Sequence, residues 1–95
     1  MLSGYDDLLR TLTLFAERLE SLGLVAEAAR LRTAGKFRVG SPTEFIGESL
    51  YALDDVVSDA HKLPPDLSAD MTRIADELES SLAAARSAPR RRRRS

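Results

Sequence analysis

Apolar residues recur along this chain at intervals of three and four, and the recurrence divides it into four helical segments. In the first, Leu8, Leu12, Phe15, Leu19 and Leu22 form one stripe, with Leu9 and Ala16 beside it. Ser3, with Asp6 three residues on, reads as its start, and Asp6-Asp7 suit the positive end of the helix dipole. Gly23 is placed to end it in the left-handed conformation, which predicts a helix over residues 4–22. A second segment over 24–34 carries Leu24, Ala28 and Leu31 on one face, with Val25 beside them, and stops at Gly35. A helix that short is marginal alone, so packing must hold it.

The third segment, 41–63, has the clearest start. Ser41 caps, Pro42 occupies the first helical position where no N–H is needed, and Glu44 can reach back to the cap. Ile46, Leu50, Leu53, Val57 and Ala60 make its stripe; Phe45, Val56 and Leu63 widen it, and Pro64-Pro65 ends it. The fourth carries Leu67, Met71, Ile74, Leu78, Leu82 and Ala85, starting from a cap at Asp66 or Ser68 and broken at Ser87-Ala88-Pro89. Between the second and third, Lys36–Gly40 alternates polar and apolar residues. A lone four-residue strand has nothing to pair with, so an extended loop is expected, with Phe37 or Val39 plugging the core edge.

Short connections favour antiparallel neighbours. The expected fold is therefore all-α: a small irregular four-helix bundle, built as a helical hairpin plus two longer antiparallel helices. Residues 1–86 form the helical domain and residues 87–95 a disordered basic tail. Leu9 and Leu14, with Tyr51 and Val56, lie off the main stripes and cannot all face one small core. Either the bundle is tightly filled, or a patch is left for a partner or a second copy, which makes a homodimer a reasonable expectation.

Composition sharpens this picture at two points. The chain has no cysteine, which excludes disulfides, thiolate metal sites and cysteine nucleophiles. Its net charge of −1 conceals an asymmetry, because five of the fourteen basic residues are Arg90–Arg94. Residues 41–85 hold ten acidic groups against Lys62 and Arg73, a balance of −8. The first residues show neither a basic n-region nor a long apolar h-region, and no stretch is apolar enough to span a bilayer. A cytoplasmic protein without a membrane partner is expected.

Candidate chemistry is sparse. Asp55 and Asp59 share a helix face, as do Asp54 and His61, but the Glu-x-x-His spacing of carboxylate-bridged metal sites does not occur, nor does a calcium loop. His61 is the single histidine, and near a helix C-terminus its role is to complement the dipole. No catalytic residue, cofactor or metal site is therefore assigned, and the chain reads as non-enzymatic. The Lys36–Ser41 loop, with Arg30 and Arg32 upstream, is the one candidate anion site. Pro42 removes an N–H from it and Glu44 brings a like charge, so a capped helix start with a basic rim is the preferred reading.

Arg90, Arg91, Arg92, Arg93 and Arg94 could neutralise phosphates with a steep salt dependence. No aromatic residue is interleaved for stacking, however, and the neighbouring body is acidic. The leading expectation is an interaction module that binds a basic protein partner through apolar helix strips and an acidic face. Tyr51, Asp54, Asp55, Asp59 and the five arginines are its candidate contact residues. A nucleic-acid accessory protein tethered by the arginine run is the alternative.

The stretch Gly40-Ser41-Pro42-Thr43-Glu44-Phe45-Ile46-Gly47-Glu48, a capped entry to an amphipathic helix after a short helical hairpin, resembles small uncharacterised bacterial helical proteins. Some of these are suspected immunity proteins of toxins. The resemblance implies a bacterial intracellular protein that acts by binding, and it transfers no functional residue.

Overall fold

The computed structural model describes residues 4–59 and 63–94, with side chains described over 4–58 and 63–84. Among the described residues there are four α-helices, α1 (Tyr5–Ser21), α2 (Val25–Gly35), α3 (Pro42–Asp59) and α4 (Pro65–Arg94), with one 3₁₀ turn, Lys36–Val39, and no strand. Each helix packs on the next: α1 on α2, α2 on α3 and α3 on α4. The result is the expected bundle of a hairpin and two longer helices. Arg18 on α1 reaches Asp66 on α4 at 3.4 Å and closes the ring from the far side.

The turn between α1 and α2 depends on Gly23, whose φ of 82° is the left-handed conformation that a side chain disfavours. Its N–H donates to the Glu20 carbonyl at 3.0 Å, and the Leu24 N–H donates to the Leu19 carbonyl at 2.9 Å. These two bonds close the end of α1 and turn the chain straight into α2. At the other end α1 begins after Gly4 with no side-chain cap; the proposed cap Ser3 lies outside the described residues. Farther along α2 the two helices come close at Gly35, where an added Cβ would stand 3.1 Å from Leu9 Cδ1.

Residues 36–39 are not the expected extended loop. Gly35 stays right-handed at φ −61°, and the chain tightens into the 3₁₀ turn, with the Gly40 N–H donating to the Phe37 carbonyl at 3.0 Å. A solitary strand would leave its backbone groups unpaired, whereas a tighter helix satisfies some of them locally. Phe37 packs against the core and Val39 is 95% exposed, so of the two candidate plugs Phe37 is the one used.

The start of α3 follows the sequence closely, with the Glu44 N–H 3.4 Å from Ser41 Oγ and the Phe45 N–H 2.9 Å from the Ser41 carbonyl. Its buried line does not. Phe45, Ser49, Ala52, Leu53 and Val56 are buried, while Ile46, Leu50 and Val57 lie at the margin. The face is rotated because α3 is wedged between α2 and α4, and the small Ser49 and Ala52 let its backbone approach. Ser49 Oγ is fully buried and has no hydrogen-bond partner among the described residues. The predicted lower stripe position Ala60 lies outside the described residues, as does His61.

Opposite, α1 contributes Leu8, Leu12, Ala16 and Leu19, and α2 contributes Ala28, Leu31 and Ala34. Phe15 is only partly buried, and Leu22, in the turn after α1, is exposed. On α4, Leu67, Met71, Ile74, Leu78 and Leu82 are all buried as their spacing predicts, joined by Ala75. The helical range of α4 runs across residue 86 to Arg94; the side chains of Ala85 and of the expected basic tail lie outside the described residues. No described helix is long and apolar enough to cross a membrane.

Candidate functional site

With Phe45, Ser49, Ala52 and Val56 turned inward, α3 presents Tyr51 to solvent, and the residue is 71% exposed. Glu48 lies three residues before Tyr51, Asp54 three after and Asp55 four after, so all three carboxylates flank its ring on the helix surface. Tyr51 forms the ridge between two open grooves. One, of about 380 Å³, lies between α2 and α3, with Ala26, Ala29, Ala34 and the cationic Arg30 from α2 facing Glu48 and Asp55 of α3. The other, of about 410 Å³, lies between α3 and α4, lined by Glu44, Glu48, Leu50, Asp54 and Leu82.

The electrostatics of this face differ from those of the rest of the molecule. Elsewhere several acidic groups are matched by arginines. Glu20 accepts two hydrogen bonds from Arg32, at 2.9 and 3.0 Å, which tie α1 to α2. This bidentate contact, more than the charge itself, holds the Glu20 carboxyl below the usual glutamate range. Asp66 meets Arg18, and Asp70 meets Arg73 at 3.0 Å. On α3 there are five carboxylates and no basic residue. Among the described residues Glu48, Asp54 and Asp55 have no ion-pair partner, and the last turn of α3 carries no basic group to answer the negative end of its dipole. Asp54 and Asp55, in the C-terminal half of the helix, therefore lie toward the negative end of its dipole.

A tyrosine beside a carboxylate meets an arginine elsewhere in the same molecule. Arg38 donates from Nε and Nη2 to Asp6 Oδ1, at 3.1 and 2.8 Å, and its guanidinium carbon stands 5.9 Å from the centroid of the Tyr5 ring. A tyrosine ring beside a carboxylate accommodates a guanidinium by combining a charged hydrogen bond with the attraction of the ring face. Tyr51 with its three neighbouring carboxylates has the same ingredients on an open surface. The basic loop anticipated near Lys36–Ser41 is correspondingly occupied from within: Arg38 is held by Asp6 and Arg32 by Glu20.

Of the candidate residues, the structure brings Tyr51, Asp54 and Asp55 together. Asp59 is the last residue of α3, and its side chain, like those of Arg90–Arg94, lies outside the described residues. Glu48 was not singled out from the sequence, although its spacing from Tyr51 carries the signal. The contribution of Ala26 and Ala29 had no such signal, because alanines on a short helix read equally well as packing. Leu14, the other off-stripe residue left outside, is 57% exposed on α1, whereas Val56 is buried and Leu9 packs at the core margin. Among the described residues, no three histidine, cysteine, aspartate or glutamate side chains converge as a metal-binding group. Comparison with protein-family models, curated proteins and solved structures finds no match for this chain.

Proposed function

We propose that this chain is a non-enzymatic interaction module that binds a basic protein partner on the α2–α3–α4 face. The observation that carries the reading is the exposed Tyr51 set among carboxylates for which no ion pair is seen among the described residues, between two grooves of mixed apolar and polar lining. The grooves supply apolar area, the tyrosine supplies a large rigid anchor, and the carboxylates steer and orient a cationic surface. An immunity-type or regulatory role in a bacterial cell, in which a basic nucleic-acid-directed protein is blocked, fits this chemistry.

A photo-crosslinking amino acid placed at Tyr51 of the full chain should capture a partner of high isoelectric point from nuclease-treated extract. The charge reversals Asp54→Lys and Asp55→Lys should lower the affinity for that purified partner at least tenfold, mainly through the association rate. Unchanged affinity in the reversed variants would remove the acidic face from the mechanism.

A further inference from the structure

We infer that the chain carries its own ligand for the Tyr51 face, and that the segment Arg90–Arg94 of the same molecule occupies it until a partner competes. This rests on the reading of that face as the binding surface. Three observations lead to it.

The first is charge. Five arginines stand against Glu44, Glu48, Asp54 and Asp55, four acidic groups of α3 for which no ion pair is seen among the described residues. The Tyr5–Asp6–Arg38 contact shows that this molecule already satisfies a tyrosine–carboxylate pair with an arginine brought from elsewhere in the chain.

The second is where α4 leads. Leu82 lines the same groove as Glu44, Glu48, Tyr51 and Asp54, so the chain leaves the core beside the acidic face. Arg90 follows eight residues later; α4 continues as helix to Arg94 in the structure, and once this last part is unwound a run of that length reaches about 26 Å. Glu44 to Asp54 spans about 15 Å along α3.

The third is the weak intrinsic support for α4 at its end. Pro89 gives no N–H to the helical ladder, and five successive arginines repel one another at helical spacing. Settling on the α3 carboxylates exchanges that repulsion for ion pairs. A tethered ligand also acts at a millimolar effective concentration, which favours the same molecule over a second copy.

The test uses the full chain, which has no cysteine, so that Ser95→Cys accepts a single nitroxide label. At low salt the label should broaden the backbone amide signals of Glu44–Asp55, and the broadening should fade as sodium chloride is raised toward 1 M. Replacing all five arginines with glutamine should abolish it. A mixture of labelled, isotopically silent chain with unlabelled, isotope-enriched chain should show none. Broadening in the mixture would assign the occupant to a second copy and overturn the proposal, as would its absence in the labelled chain.

In a second measurement a synthetic pentaarginine peptide is titrated into full chains with and without the arginine-to-glutamine changes. The glutamine variant should bind about tenfold tighter, as expected when a competing internal ligand occupies about nine-tenths of the sites. Equal affinities would overturn autocompetition while leaving the face as a binding surface. No binding by either chain would defeat both readings.

Discussion

Arg38 lies over the ring of Tyr5, 5.9 Å from its centroid, and links the 3₁₀ turn to the first turn of α1. Tyr5 in turn packs against the buried Phe45 at 6.5 Å, so the contact joins three elements of the bundle. Both charged partners, Arg38 and Asp6, are partly or largely exposed, which limits the contact's strength. A double-mutant cycle of Arg38→Ala with Tyr5→Leu should give a coupling of about 0.5–1 kcal/mol in urea unfolding. Additive losses would show that the ring and the guanidinium are merely adjacent.

Ser49 is expected to be replaceable with benefit. Its hydroxyl is buried without a partner among the described residues, so Ser49→Ala removes a desolvated polar group and leaves only a small void. A gain of about 1 kcal/mol is expected, equivalent to a rise of about 4–8 °C in Tm for a domain of this size. A fall in Tm would mean that the hydroxyl has a partner after all.

Gly23 should be the least replaceable position in the α1–α2 turn. With φ at 82°, Gly23→Ala forces a side chain into the left-handed region and should cost about 1–2 kcal/mol, although nothing lies within 4 Å of the added methyl. Chemical denaturation of the two proteins measures it directly.

Acid should loosen the α1–α2 pair by a defined route. Because Arg32 lowers the Glu20 pKa, the folded state binds this proton less readily than the unfolded chain. The stability contributed by the pair is therefore present above the ordinary glutamate range, and it is lost as pH falls through the lowered folded-state value. Glu20→Gln should flatten that part of the stability–pH curve and leave the neutral-to-basic part parallel to the parent.

The aspartates around Tyr51 should trade stability for binding. Asp54→Asn and Asp55→Asn relieve charges that oppose the α3 dipole, and each should raise stability by about 0.3–1 kcal/mol while weakening attachment of a basic partner. If both changes destabilise the fold, these carboxylates have a structural role instead.

How far these features were legible depended on side-chain size. On α4, large residues fall at every inward position from Leu67 to Leu82 except Ala75, and the stripe read from the sequence is buried throughout. On α3 the inward line runs through Ser49 and Ala52, whose small side chains give almost no periodic signal. Ile46, Leu50 and Val57 pulled the reading round the helix to what proves to be its margin. The same ambiguity hid the contribution of α2 to the candidate surface, where Ala26 and Ala29 line a groove only because α3 stands opposite. Tyr51 and the aspartates were legible as residues; which acidic groups meet an arginine required the tertiary arrangement.

The sequential packing of α1 on α2, α2 on α3 and α3 on α4 has a kinetic consequence. Each contact closes a short stretch of chain, so little entropy is lost before packing begins to repay it. Chains dominated by such local contacts fold in microseconds to milliseconds. Either hairpin can serve as the nucleus, and the second then docks through the α2–α3 seam.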